Sequence, residues 1–563
     1  MRKNLLLFFI LSFFMNNVFS KERSESDMQS IANNTLLATC TRGNSQYKLD
    51  KLYEGNYYNV YGKSGSGFAV ISRDDIFQSV LAYSTESSFS ENNLPCGLKW
   101  WMKTIEPIMN YYLNDGIPCE SSEIMLNGMQ KTVATSVAPF ITTKWGQGWP
   151  YNEMCPKSGT THMPTGCIAT AMAQCMNFYK YPSKGNSFGT ATYTINNQTR
   201  TVSANFANST YNWSLLKDTY DSTATTDEVS AISKIMYHCG VGAQMAYAES
   251  SSGANELNAG LALNQYFLYD SCSLHCYQRS LYNDVEWTEM LYSELSKGYP
   301  VLYCGRDSLE GGHAFVFDGY DKSGLVHVNW GWDGACDGYY DFNLLAPISS
   351  SYKFALDQSM IVGIRSTSDG NKYFSQWMAD TVFKANRLSA NILTYQINNV
   401  YNVGITNFYG LVGAVLQKGD MYIQLVCDTL ASCPPYSGPS ASGTITYNKM
   451  KNLAVGTYKL YLASKALTEN TWQPIRSKNG VVNAYNLVKT SDNYSLISDG
   501  NNTWMKIDGV IDNDYNNEII RVYNISGQLL HTILSKDFNI DAIDGKGFII
   551  IKRGNSSMKK FLR

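Results

Sequence analysis

Apolar residues along this chain change period several times, and each change marks off a segment. Leu5 to Met15 is an apolar run broken only by Ser12, with Arg2 and Lys3 before it and Asn16 and Asn17 after it. It is shorter than the ~20 apolar residues that span a bilayer. With small Val18 and Ser20 behind it, it reads as a secretory signal peptide over 1–20, cut after Ser20. No Cys near that cut offers a lipid attachment point. In residues 21–131, Gly67 to Ser72 and Val80 to Ser84 read as strands, and Trp101, Ile105, Ile108 and Tyr112 share one helical face. From Glu120 to Val137 the pattern lapses, and a polar linker around Lys131 is expected.

Residues 132–366 form the largest block. After Cys167, apolar side chains recur at Ile168, Ala171, Met172, Cys175, Met176 and Tyr179, the series of a buried helical face. Thr165 is placed to cap this helix and Pro182 to end it. A strand opens at His313, with Ala314 to Phe317 filling both faces. It turns at Asp321 to Gly324, and a second strand runs from Leu325 to Trp332. Residues 370–484 alternate in short strands (Leu393 to Ile397, Met421 to Leu425, Thr457 to Tyr461) and read as a β-sandwich. Residues 485–563 are again short strands: Ile519 to Tyr523, Leu529 to Ile533 and Gly547 to Ile551.

Composition narrows the function classes. The chain has 563 residues, which implies about three to four domains. Its net charge is -2, so no bulk field draws it to nucleic acid or anionic lipid. Charged residues are 16% and aromatics 13%, a globular and not a disordered balance. The 13 Cys are an odd number, which in an exported chain raises the question of one reactive thiol.

Cys167 is the candidate. It follows Gly166 and sits in the first turn of its helix, where unpaired N–H groups and the helix dipole are expected to lower a thiol pKa. His313 follows it by 146 residues (313 − 167), inside the about 130–150 that separates nucleophile and base in papain-like enzymes. The returning strand is expected to bring Asn329 and Trp330 beside the imidazole. Gln147, in a glycine-flanked turn, offers an amide as an oxyanion donor together with the Cys167 N–H.

The Gln147 turn, Thr165 to Ala171, Gly312 to Phe315 and His327 to Trp332, in that order, closely resemble the streptopain family of papain-like cysteine peptidases. The resemblance covers residues 137–366. It implies an α+β chain: a papain-like catalytic domain over 132–366, an inhibitory pro-domain over 21–131 and C-terminal β-sandwich domains. It implies a Cys167–His313 dyad with Gln147 at the oxyanion and Asn329 and Trp330 supporting the imidazole. It also implies a pocket for a bulky apolar side chain, shaped by Gly312, Tyr247, Ser250 and Ser251. No cofactor or metal is implied. Expected partners are protein and peptide substrates and the chain's own pro-domain, released by cleavage near Lys131. The last residues resemble the sorting domains of type IX secretion substrates, which implies a secreted or surface enzyme and contact with the secretion machinery.

The match has departures. Ser349 to Asp357 lacks the glycines of the family's active-site loop, and Met163 and Pro164 replace smaller residues before the nucleophile. Cys272, His275 and Cys276 are metal-type residues, but on a strand the His would face away from the two thiols. Asp333 and Asp337 lack the ligand spacing of a calcium loop and read as a hairpin turn. Two rival functions stay open: an acyl transferase that passes the same thioester to an amine, and an adhesin whose peptidase domain is vestigial.

Overall fold

The computed structural model describes residues 21–37, 49–63, 65–114, 136–271, 273–282, 284–307, 311–345, 358–366, 377–379, 383–439, 443–467, 470–477 and 484–499, and four strands within 519–562. The expected signal peptide, the linker with Lys131 and the Ser349 to Asp357 loop lie outside these residues, as does Cys272. The chain divides into two compact units, residues 1–269 with 298–366 and residues 270–297 with 367–563.

The first unit is built on one long antiparallel sheet. Its N-terminal part comprises helix α1 (Glu25–Leu37), strands β1 (Asp50–Glu54), β2 (Tyr58–Lys63), β3 (Ser66–Ser72) and β4 (Val80–Ser84), and helix α2 (Cys96–Asn114). The catalytic block adds α3 (Cys167–Tyr179), the hairpin β5 (Phe188–Ile195) and β6 (Gln198–Asn205), and helices α4 (Thr226–Gly242) and α5 (Glu256–Gln265). It continues with β7 (Val301–Asp307), β8 (Gly311–Tyr320), β9 (Val326–Asn329), β10 (Gly338–Tyr340) and β11 (Gln358–Val362). The strands run in the order β1-β2-β3-β4-β10-β9-β8-β7-β11. The N-terminal segment therefore extends the catalytic sheet directly, through pairing of Ala82 with Tyr340 and Tyr83 with Tyr339.

Side chains reinforce this seam. The Tyr83 ring stacks on Tyr339 at 5.0 Å, and its hydroxyl donates to Asp321 at 3.0 Å. Ser84 and Ser87 donate to the carbonyls of Asp337 and Gly334, each at 2.6 Å. The Trp101 indole donates to Asp341 O at 3.1 Å. Trp100 and Trp101 are fully buried, and truncating a Trp so placed typically costs about 3–5 kcal/mol. Helix α2, whose spacing the sequence showed, is thus an anchor from the N-terminal segment into the catalytic core.

Helix α3 is buried along almost its whole length because apolar or small residues surround it. It packs between α4 and β8. One expectation fails at its start. Gly166, not Thr165, is the N-cap and makes no side-chain cap; the Thr165 hydroxyl pairs with that of Thr170 at 3.0 Å. Strand β8 carries a bulge between Phe317 and Gly319. The extra residue, Asp318, is fully buried; its carboxylate accepts from His327 Nδ1 at 2.5 Å and from the Ile141 N–H at 2.8 Å.

The second unit holds the expected strands. Leu393–Ile397 alternates inward positions, Met421–Cys433 buries only Leu425 and Cys433, and Gly456–Ala466 is buried on both faces, around a core that includes Phe408, Leu460 and Leu487. The six-stranded sheet does not stop at residue 484 as expected. Ala484–Lys489 pairs with Gly456 to Tyr461, and Tyr494–Asp499 pairs beyond it. Residues 270–297, expected within the catalytic block, group with this unit, where the Arg476 guanidinium lies 5.3 Å from the Tyr282 ring. The final sheet has the three expected strands and a fourth, Ser556–Leu562, at the basic end of the chain.

Candidate active site

The nucleophile candidate stands where a loop enters α3. Gly166 has φ +86, and a Cβ there would lie 2.7 Å from Met245 Cε and 2.9 Å from Ser252 O. Only glycine fits this approach, and it delivers Cys167 half-buried at the first helical position. Cys167 Sγ lies 4.0 Å from Gly312 O and takes the Ala314 amide as a hydrogen-bond donor. His313, buried, sits between those two residues on β8. Helix and strand thus bring Cys167 to the two residues that flank His313.

The Cys167 thiol stands under opposed influences in this uncleaved chain. Burial pushes its pKa up, while the N–H groups of Ala314, Ile168 and Cys167 pull the other way. The expectation of a lowered pKa held for the helix N–H groups but not for their sum with desolvation, which needs the surrounding packing to be known.

Gln147 is half-buried, and its carbonyl accepts from the Thr165 N–H at 3.1 Å. That bond ties its turn to the residues just before the nucleophile. Thr170 of α3 donates to Gly146 O at 3.3 Å, closing the same turn from below. Asp333 presses on it from another side: a Cβ on Gly146 would lie 2.4 Å from the Asp333 carboxylate, and the Asp333 N–H donates to Trp145 O at 3.3 Å. From the sequence, Asp333 is only a hairpin residue.

Trp330 is buried. Its ring lies 4.8 Å from Phe315 and 5.0 Å from Tyr340, its indole donates to Cys336 O and its backbone N–H donates to Asp337 Oδ1 at 2.9 Å. Burial raises the Asp337 carboxyl to about 7, partly offset by this N–H. Asn329 faces a different duty from the one expected. Its Oδ1 accepts from Gln174 Nε2 and the Gly331 N–H, both at 3.0 Å, and its Nδ2 donates to Thr143 O at 2.6 Å. Thr143 Oγ1 in turn donates to Gln174 Oε1 at 2.9 Å. These bonds engage both lone pairs of Oδ1. Asn329 therefore braces the segment leading into the Gln147 turn against α3. Gln174 was missed from the sequence, although it falls seven residues after Cys167 on the same helical face. Gln174→Leu should lower the stability of the uncleaved chain by about 1–3 kcal/mol, because Thr143 Oγ1 and Asn329 lose a buried partner; denaturant unfolding beside the wild type measures it.

The expected substrate pocket is only partly assembled from the named residues. Gly312, Ser250 and Ser251 are exposed and accessible near the nucleophile's loop. Tyr247 is instead buried at 1% exposure, its ring edge-on to Tyr193, and burial drives its hydroxyl pKa well up. It supports the loop from the core. Met245 and Ser252, which touch Gly166, are the closer residues. Among the described residues no group of three or more His, Cys, Asp or Glu is placed to hold a metal ion, and no helix is long and apolar enough to cross a membrane.

Comparison with known proteins returns two family matches. Residues 145–340 match the Peptidase C10 family, and residues 12–109 match the Spi protease inhibitor. The chain is 31% identical over 369 residues to streptopain of Streptococcus pyogenes, covering 61% of this chain and 91% of that protein. It is 31% identical over 337 residues to the thiol protease/hemagglutinin PrtT of Porphyromonas gingivalis, covering 57% of this chain and 38% of that one. Among solved structures it is similar to a mutant fragment of prointerpain A from Prevotella intermedia, with 35% identity, a TM-score of 0.49, and coverage of 57% of this chain and 99% of that one.

Proposed function

Because the chain belongs to the peptidase C10 family and is a streptopain-type cysteine endopeptidase, we propose that it is a secreted zymogen whose chemistry runs through Cys167 and His313. The observation that carries this reading is the placement of Cys167 Sγ at the first turn of α3, 4.0 Å from Gly312 O beside His313. In the mature enzyme the His313 imidazole takes the thiol proton. The thiolate attacks the scissile carbonyl, and the developing oxyanion is met by the Cys167 N–H and the Gln147 amide. The imidazolium then protonates the leaving amine, and water releases the acyl group from the thioester. Trp330, whose indole donates to Cys336 O and whose backbone N–H donates to Asp337, is read as the residue that shields the imidazole.

The N-terminal segment acts as the inhibitor. It extends the catalytic sheet at β4–β10, and α2 places Gly97 against the Trp330 ring. Cleavage in the stretch between α2 and residue 136 releases it. The C-terminal strands are read as a sorting domain that engages the export machinery, and the sandwich before them as a surface-binding module.

The test is thiol alkylation followed across pH in the uncleaved and matured forms, with casein hydrolysis in parallel. Below its raised pKa the uncleaved thiol should react about tenfold faster per pH unit from pH 6 to 9, since only the thiolate is nucleophilic. After maturation the rate should be high and nearly flat over that range, and casein hydrolysis should appear with it. Equal pH profiles in the two forms, or a matured form inert on casein, would refute the reading.

A further inference from the structure

Two cysteines from distant parts of the chain converge on the active site. Cys96 is the first residue of α2 and is half-buried. The next residue, Gly97, is packed so closely that a Cβ would lie 2.6 Å from Trp330 Cε3 and 3.1 Å from Phe315 Cδ1. Cys167 is the first residue of α3, also half-buried, against Gly312 O and the Ala314 amide. Gly312 to Phe315 is one short run of β8, so the first turns of both helices abut the same four residues. Cys167 also acts on the Cys96 thiol. After burial, a negative charge on Cys167 is the largest influence keeping Cys96 protonated, at a pKa of about 12. Two thiolates here would repel, whereas a bond between the sulfurs removes both charges. Both thiols are reduced in this structure.

We propose that Cys96 and Cys167 are a modification site: in the uncleaved chain they join in a reversible disulfide that fastens the N-terminal segment across the nucleophile. The oxidant is a low-molecular-weight disulfide such as glutathione disulfide. The Cys167 thiolate attacks one of its sulfurs, the S–S bond breaks, and one glutathione leaves as a thiolate that takes up a proton. Cys96, losing its proton, attacks the Cys167 sulfur of the mixed disulfide and expels the second glutathione. In sum the two protein thiols lose two electrons and two protons, and glutathione disulfide is reduced to two thiols. A dithiol reductant reverses both steps. The consequence is a second lock: cleavage of the linker alone would leave the inhibitor attached until the disulfide is reduced. That consequence rests on Cys167 as nucleophile; the bond itself does not.

The experiment uses the full secreted chain, residues 21–563, and its Cys96→Ser variant, each incubated with glutathione disulfide. Remaining thiols are then blocked with N-ethylmaleimide and the chain is digested without reductant. Mass spectrometry of the wild type should find a peptide pair joined through Cys96 and Cys167 that separates on adding dithiothreitol. The variant should instead carry glutathione on Cys167. Separately, nicking the linker with trypsin should give two fragments that run together on a non-reducing denaturing gel only in the oxidised wild type. Wild-type Cys167 found with glutathione while Cys96 carries N-ethylmaleimide would overturn the proposal, as would fragments that part without reductant. A reduced chain inert on casein would count against the peptidase reading alone.

Discussion

Cys167→Ala should leave the full chain uncut and reduce peptide hydrolysis by roughly 10⁴–10⁶-fold, the scale on which loss of a covalent nucleophile is felt. The reason is chemical: the thioester forms on the Cys167 sulfur, which lies against Gly312 O and the Ala314 amide, whereas the Cys96 thiol belongs to the N-terminal segment that maturation removes. The fold should not suffer. Cys167 occupies an N-terminal helical position whose packing is set by Gly166 and α3, and the missing sulfur borders an accessible edge. The thermal midpoint of the variant should therefore match that of the wild type, while casein and a fluorogenic peptide stay intact after the linker is nicked with trypsin. Hydrolysis within tenfold of the wild type would exclude Cys167 as the nucleophile.

Gln147→Ala should lower turnover by about 10²–10³ with KM little changed, because the lost amide stabilises charge that exists only as the oxyanion forms. The turn itself should persist. It is held by the Thr165 N–H on Gln147 O, by the Thr170 hydroxyl on Gly146 O and by the Asp333 carboxylate over Gly146, none of which uses the Gln147 side chain. A steady-state comparison on one peptide separates the two constants. A fall of less than threefold in turnover, or a rise in KM that accounts for the whole loss, would remove Gln147 from the oxyanion site and leave it a turn residue.

Both effects meet in the uncleaved chain with a third party, the N-terminal segment. It reaches the site through Gly97, which lies against Trp330 so closely that no other residue could stand there without moving the ring. At Cys167 itself, desolvation of the half-buried thiol outweighs the helix N–H groups. Charge at the seam is arranged to hold this state. Lys144 pairs with Glu86 of the N-terminal segment at 3.1 Å, while the His327–Asp318 pair stays within the catalytic block.

The candidate pair Cys167 and His313 stands out in the sequence because each sits on an element with a clear period. Cys167 heads a run with apolar residues at helical spacing, and His313 opens a strand apolar on both faces. Strands such as Val80–Ser84 and Leu393–Ile397 fall where alternation placed them. The C-terminal boundary at 484 was misplaced because alternation marks a strand but not its partner, and pairing of Ala484–Lys489 with Gly456 to Tyr461 joins residues that composition separates. Tyr247, which the family resemblance gives to the pocket, is buried at its side chain, since a linear pattern does not tell a core tyrosine from one that lines a cleft.

By itself, then, the sequence determined the local chemistry: a thiol at a helix start, an imidazole on a strand, an amide in a tight turn, and the family these belong to. Those properties depend on neighbours a few residues away, which a linear pattern records. The tertiary structure alone decided that Asn329 braces Thr143 and Gln174, that Asp318 leaves its strand at a bulge to meet His327, and that burial outweighs the helix N–H groups at Cys167. It alone brought Cys96 and Gly97 to Trp330. Each of these is a contact between segments tens to hundreds of residues apart, set by how the sheet and α3 pack, and desolvation in particular is a sum over everything that surrounds a group.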